Sequence, residues 1–353
     1  MNALFFLVHP SKYHLFKNTF ELFNKNGHSY DIIISNKEVL SDLLKSGGYK
    51  HHDIFPNGRR IDFLPNKLNA VINLFRTLWR LSKATKNKKY DIFITDDVLT
   101  ILGRIKRVPS IAFTDNDLST VPLVKLIFRA ATRIIAPATT KLDELEFKKI
   151  SFKGSKAVAH LHPKYFIKSN EVFKTYSLSG KSIIFIRLSK LNANHDSHGN
   201  PGITNNDLFE ILKIVSDKFQ VIISAEREIP SEFNHLKLKI NPIDFDQVLA
   251  NSAFFIGDSS TMAMEAAVLG VPNILINNIA KKLGVLREMH EKYGIHNYYD
   301  TFTSAKEYFI QIINDDAGKY SILEKSKLYI NDCDDFNLVL VNEALKLVNN
   351  SKK

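Results

Sequence analysis

The sequence predicts an α/β protein built from two doubly wound parallel-sheet domains that face a central cleft. Three observations lead there. Short apolar runs rich in Ile, Val and Phe alternate with helical stretches along the 353-residue chain. The runs are continuous rather than alternating, as in strands covered on both faces. Each half of the chain also opens on such a run, followed by a polar loop and a helix, so helical crossovers would join parallel strands in both halves.

In chain order, the first half offers strands at Leu4–Val8, Tyr30–Ser35, Asp91–Thr95, Ser110–Thr114 and Arg133–Pro137. The second half offers Ser182–Leu188, Gln220–Ser224, Leu236–Ile240, Ala253–Gly257 and Asn273–Asn277. Between them lies the polar, weakly periodic stretch Lys168–Lys181. The expected division is a first domain over 1–168, a linker over 169–181 and a second domain over 182–334. A C-terminal helix over 335–353 could pack on either domain and is assigned to the first.

Hydrophobic residues make up 44% of the chain and charged residues 24%, a globular rather than a disordered composition. With 48 Lys and Arg against 37 Asp and Glu, the net charge is +11, which favours an anionic partner without choosing it. Cys333 is the single cysteine, which excludes an intrachain disulfide and a cysteine-built zinc site and fits a reducing cytoplasm. The N-terminal run lacks a basic leader and a small-residue cleavage site, so it reads as a first strand. No apolar run reaches the ~18 residues of a membrane span. Walker A, GxGxxG, HExxH, GxSxG and zinc-finger spacings are all missing, which weakens P-loop, NAD, serine-hydrolase and metalloprotease readings. Nucleic-acid binding would rest on charge alone.

Ligands of open parallel sheets bind beyond the carboxyl ends of the strands, so the informative residues follow each run. The stretch "FFIGDSSTMAMEAAVLGVPNILI", Phe254–Ile276, places Ser259, Ser260 and Thr261 between a strand and an apolar helix. Helix N-capping would use one of these hydroxyls. A helix N-terminus also presents free amides and a positive dipole end, which suits a diphosphate. Glu265 falls four residues after Thr261, outside the capping-box register, among Met and Ala. A carboxylate there needs a hydrogen-bonding partner, and a ribose diol is a natural one.

Four further sites follow strands. Arg187 ends a strand and suits phosphate; the next loop carries His195, a ligand contact or a solvated residue, with metal binding disfavoured because no matching ligand spacing appears. Glu226 would bond a sugar hydroxyl or remain a solvated loop acid. His14, near the start of the first helix, is a candidate general base, and Asp115 and Asp117 compete with it.

Residues 66–89 contain no acid. Leu68, Ile72, Phe75 and Trp79 form one stripe at helical spacing beside several lysines and arginines. The favoured reading is a sheet-covering helix with this stripe inward. The alternative is a basic helix on an anionic membrane surface.

The segments "GDSSTMAMEAAVLGVP", "RLSKLNANHDSHGNPG", "VIISAERE", "AHLHPKYF" and the start "HPSKYHLFKN" occur in one order from Val8 to about Asn277. Together they resemble a prokaryotic family of domains of unknown function, related to MurG-like glycosyltransferases and UDP-N-acetylglucosamine 2-epimerases. The resemblance implies a GT-B architecture with nucleotide sugar on the C-terminal domain and acceptor on the N-terminal one. It also implies that Glu265 holds the ribose, that Ser259 to Thr261 hold the diphosphate, and that His14 is the base, here without the usual surrounding glycine-rich loop. The epimerases carry Gly-Thr-Arg-Pro-Glu and His-x-Glu-Ala-Gly-Leu-Arg motifs, where this chain has His9-Pro10-Ser11 and Thr114-Asp115-Asn116-Asp117. The resemblance thus favours a cytoplasmic, inverting, metal-independent glycosyltransferase at the inner face of the membrane. It would use a UDP-linked sugar as co-substrate, with no other cofactor, and extend a surface-polysaccharide or lipid-linked saccharide. The alternatives are a 2-epimerase-like enzyme and a non-catalytic glycan-assembly or nucleic-acid-binding protein.

Overall fold

A computed structural model describes residues 1–35, 39–59, 61, 65–120, 124–190, 202–215, 218–278 and 280–351. Residues 1–160 carry β1 (Asn2–Leu7), α1 (Ser11–Lys25), β2 (Ser29–Ile34), α2 (Leu40–Ser46), β3 (His52–Asp53), α3 (Asn66–Ala84), β4 (Ile92–Thr95), α4 (Leu99–Lys106), β5 (Ser110–Phe113), α5 (Lys125–Ala130), β6 (Arg133–Pro137) and β7 (Lys149–Phe152). The short α6 (Val158–Leu161) follows. Next come α7 (Glu171–Thr175), β8 (Ser182–Leu188), α8 (Asn205–Ile214), β9 (Phe219–Ala225), α9 (Phe245–Ala250), β10 (Ser252–Gly257), α10 (Ser260–Val268), β11 (Asn273–Ile276), α11 (Gly284–Glu291), β12 (Asn297–Tyr299), α12 (Phe302–Ile313), α13 (Asp316–Asp332) and finally α14 (Phe336–Ser351).

The chain divides into two compact units, Met1–His160 with Asp334–Lys353, and Leu161–Cys333. The first division point falls at His160, ahead of the polar stretch 169–181, and α7 forms inside that stretch.

Unit 1 is a seven-stranded parallel sheet in the order β3-β2-β1-β4-β5-β6-β7. Alternate residues of β1 point to opposite faces. Phe5 and Leu7 pack with Phe16, Phe20 and Phe23 of α1 and with Phe336 and Leu340 of α14. Leu4 and Phe6 pack with Leu81 of α3 and Leu99 and Leu102 of α4. Phe336 is fully buried, its ring centroid 5.3 Å from Phe152 and 5.5 Å from Phe113. Burying a Phe side chain contributes about 2–3 kcal/mol, so α14 is an integral layer of this unit. Its buried Asn337 accepts from Thr19 Oγ1 at 2.7 Å and donates to Ala159 O at 2.9 Å, so its burial leaves no polar group stranded.

Unit 2 is a five-stranded parallel sheet in the order β12-β11-β10-β8-β9. Ile184, Ile186, Phe254 and Ile256 pack on α8 and α12 through Leu208, Ile211 and Phe309. On the other face Phe185 stacks on Phe245 of α9, with centroids 6.2 Å apart. Gly270, at φ +70°, ends the turn after α10 in a conformation that a side chain would resist.

Two expectations are corrected. Leu236–Ile240 is not a strand: a 3-10 turn covers Ser231–Leu236, and only a single bridge joins Lys237 to Ile223. Lysines at 237 and 239 leave too little apolar surface for a strand covered on both faces. The Leu68–Phe75–Trp79 stripe of α3 does not face the sheet either. The helix packs inward through Leu74, Leu78 and Leu81, while Leu68, Phe75 and Trp79 are exposed.

Candidate functional site

Strand order reverses between β8 and β10 in unit 2 and between β1 and β4 in unit 1. The crevice beyond the carboxyl ends at such a switch point is where a doubly wound sheet takes its ligand. In unit 2 the flanking turns are 189–190 after β8 and 258–259 after β10.

β10 ends at Gly257, paired in register with Arg187 of β8. A Cβ on Gly257 would lie 2.9 Å from Arg187 O and 2.8 Å from the Phe255 ring, so glycine permits this close approach. Asp258 follows, its side chain fully enclosed. It accepts from Ser189 N at 2.6 Å and pairs with Arg227 at 2.8 Å, tying the two turns together.

Ser259 is the N-cap of α10, and its Oγ accepts from Met262 N at 3.5 Å. Ser260 and Thr261 occupy the first two helical positions, whose amides have no intrahelical acceptor, and both are half-buried. α10 therefore aims its first free amides and the positive end of its dipole at the switch point. Glu265 lies one turn further along α10. Glu265 is half-buried, and Met264 and Ala266 on either side of it are buried. Its spacing from Thr261 puts both on one stripe of α10.

Arg187 donates to Ser224 Oγ at 2.6 Å and pairs with Glu226, and its guanidinium lies 5.3 Å from the Phe245 ring centroid. It borders a cavity of about 500 Å³ lined also by Ser224, Asn234, Lys237, Lys239 and Phe245. Arg187 and Glu226 are thus brought together, whereas His195 lies outside the described residues. Sequence reasoning missed Lys237 and Lys239. The signal available was the two lysines that interrupt the apolar run Leu236–Ile240.

In unit 1, Lys12 of α1 pairs with Asp96, which follows β4, at 2.9 Å across the switch point. Asp97 pairs with Arg59 at 3.1 Å and accepts from Val98 N at 2.6 Å. Asp115 pairs with Lys156 at 2.9 Å. Burial would raise its pKa, but the charges of Lys156 and then Lys12 outweigh that and hold the carboxyl below its usual value. Asp117 is buried and accepts from Lys141 N at 2.9 Å. Asp115 is thus a weakened proton acceptor, and Asp117 anchors backbone. His14 is half-buried on α1, its ring centroid 5.2 Å from that of His160.

The profile of the family described as "Protein of unknown function (DUF354)" matches residues 6–346. An uncharacterized protein of Methanocaldococcus jannaschii is 24% identical over 325 residues, 89% of this chain and 91% of that one. A crystal structure of UDP-GlcNAc 2-epimerase from the same organism, in complex with UDP-GlcNAc and UDP, superposes with a TM-score of 0.63 at 13% identity, covering 98% of this chain and 99% of that one. The glycotransferase of kitacinnamycin superposes with a TM-score of 0.61 at 13% identity, covering 98% and 99%. The fold is therefore that of GT-B glycosyltransferases and sugar-nucleotide epimerases, with two Rossmann-like parallel-sheet units.

Proposed function

The chain belongs to the DUF354 family, and we propose that it is a glycosyltransferase whose unit 2 takes a UDP-linked sugar at the N-terminus of α10. The observation that carries this reading is the juxtaposition at the switch point: the Ser259 cap, the Ser260 and Thr261 amides, and Glu265 one turn on. A nucleoside diphosphate has matching chemistry. Its phosphates complement the amides and the helix dipole, and its ribose diol complements the carboxylate. Arg187, Lys237 and Lys239 add positive charge around the cavity beside β8.

In the proposed reaction the acceptor oxygen attacks the anomeric carbon from the face opposite the diphosphate. The bond to the diphosphate oxygen breaks and its electron pair leaves with the diphosphate, inverting the centre. The α10 amides stabilise that developing charge. The acceptor proton passes to a base, for which His14 is proposed, because Asp115 and Asp117 are committed to Lys156 and to the Lys141 amide. The acceptor is proposed to be a saccharide, free or lipid-linked.

The likeness to 2-epimerases keeps epimerisation as a second reading. Incubating the protein with a panel of UDP-sugars, with and without saccharide acceptors, separates the two by mass spectrometry. Transfer gives UDP release that accelerates with acceptor and yields a heavier saccharide. Conversion of the sugar nucleotide without acceptor would establish the second reading instead.

A further inference from the structure

α3 carries two apolar stripes. The inner one, Leu74, Leu78 and Leu81, packs against the sheet with Phe6 and Phe93. The outer one is open: Leu68 is 48% exposed, Val71 53%, Phe75 66% and Trp79 64%. Spacings of three and four residues put these four side chains on one line along the helix. Ile105 of α4 and Leu126 of α5, on helices covering the same side of the sheet, are exposed as well.

The charges beside the outer stripe have one sign. No acid occurs between Asn66 and Tyr90. Arg76 and Arg80 are held inward, Arg76 on Arg59 O at 3.2 Å and Arg80 on Ile54 O, and both lie over the Phe55 ring. Lys83, Lys86 and Lys89 are exposed, with Lys83 Nζ 5.6 Å from the centroid of Trp79. Among the described residues no helix is long and apolar enough to cross a membrane. An acid-free helix with an open aromatic-aliphatic line and lysines at its C-terminal end matches a surface that is apolar below and anionic above.

We propose that the outer face of α3 seats the protein on an anionic lipid bilayer, with Phe75 and Trp79 in the acyl boundary and Lys83, Lys86 and Lys89 on the headgroups. This surface is separate from the nucleotide-sugar reading and does not depend on it.

Trp79 is the only tryptophan in the chain, so intrinsic fluorescence reports on this face directly. The test titrates the full chain with vesicles of phosphatidylcholine alone and of phosphatidylcholine with phosphatidylglycerol, reading Trp79 emission and co-sedimentation. The expected result is a blue shift and pelleting with the anionic vesicles, both reduced by added salt. Phe75→Ser, at an exposed position and with its fold checked by circular dichroism, should weaken anionic-vesicle binding about tenfold or more. Pelleting without a Trp79 shift would mean charge adsorption elsewhere and overturn the proposal. So would an unchanged Phe75→Ser, or no binding at all. A lipid-independent, concentration-dependent shift accompanied by dimers in sedimentation would also overturn it, giving this face to a second copy of the chain.

Discussion

Asp258 Oδ2 lies 2.8 Å from Arg227 Nη1, and this pair fastens both ends of the loop that follows β8. Asp258 accepts from Ser189 N at 2.6 Å and from Ile203 N at 3.5 Å. Arg227 donates to Ser189 O at 2.7 Å and to Ile203 O. Because Asp258 directly precedes the N-cap Ser259, the same carboxylate sets the start of α10. Removing the Asp258 carboxylate takes the acceptor from the buried ends of this loop and the partner from Arg227, at a cost of about 1–3 kcal/mol. Asp258→Ala should therefore lower the urea midpoint of unit 2 by a corresponding amount. A midpoint within error of the wild type would show that the pair contributes nothing net.

His296 links stability to pH. It is fully buried, with Nδ1 2.5 Å from Asn273 Oδ1. Burial, with a smaller contribution from the charge of His290, lowers its pKa to about 3. The unfolded chain takes up a proton near pH 6.5, whereas the native state stays neutral until about pH 3. Stability is thus lost as pH falls through that window, by about 2 kcal/mol at pH 5. Thermal unfolding at pH 8, 6.5 and 5 should show the decline, with a shallower slope in His296→Gln. Equal slopes would exclude His296 as its source.

The choice of base divides His14 from Asp115. Asp115→Asn breaks the pair with Lys156 and should cost stability while leaving the shape of the pH–rate profile near neutrality unchanged. The pair's own contribution is present above the ordinary carboxylate range and lost as pH falls through the lowered Asp115 value. His14→Gln should lower kcat about 10²- to 10⁴-fold. A kcat kept in His14→Gln and lost in Asp115→Asn would reverse the assignment.

Central strands were legible because a strand covered on both faces must be apolar throughout: β5, β6 and β8 coincide with their apolar runs to within a residue. Of the four edge strands, β9 was legible from its apolar run, whereas β3, β7 and β12 were not, because each is at most four residues long and includes polar residues such as His52, Lys149 and Asn297. The α10 turn could be read because a hydroxyl cluster between a strand and an apolar helix is unusual. Periodicity located the Trp79 stripe but not its direction. Leu74, Leu78 and Leu81 form an equally good stripe, and only packing decides between them. The ion pairs of Asp115 and Asp258 were out of reach because Lys156 and Arg227 are distant in sequence and become neighbours only through the sheet.

The central claim is that α10 holds a nucleoside diphosphate with Glu265 on its ribose. Calorimetric titration of UDP into the wild type and Glu265→Ala tests it most directly. Glu265 is half-buried, and circular dichroism of the variant checks that the fold is intact. The account predicts binding to the wild type and an affinity at least about tenfold weaker in the variant, the worth of a charge-assisted hydrogen bond. Equal UDP affinity in the two proteins, or none in either, would contradict it.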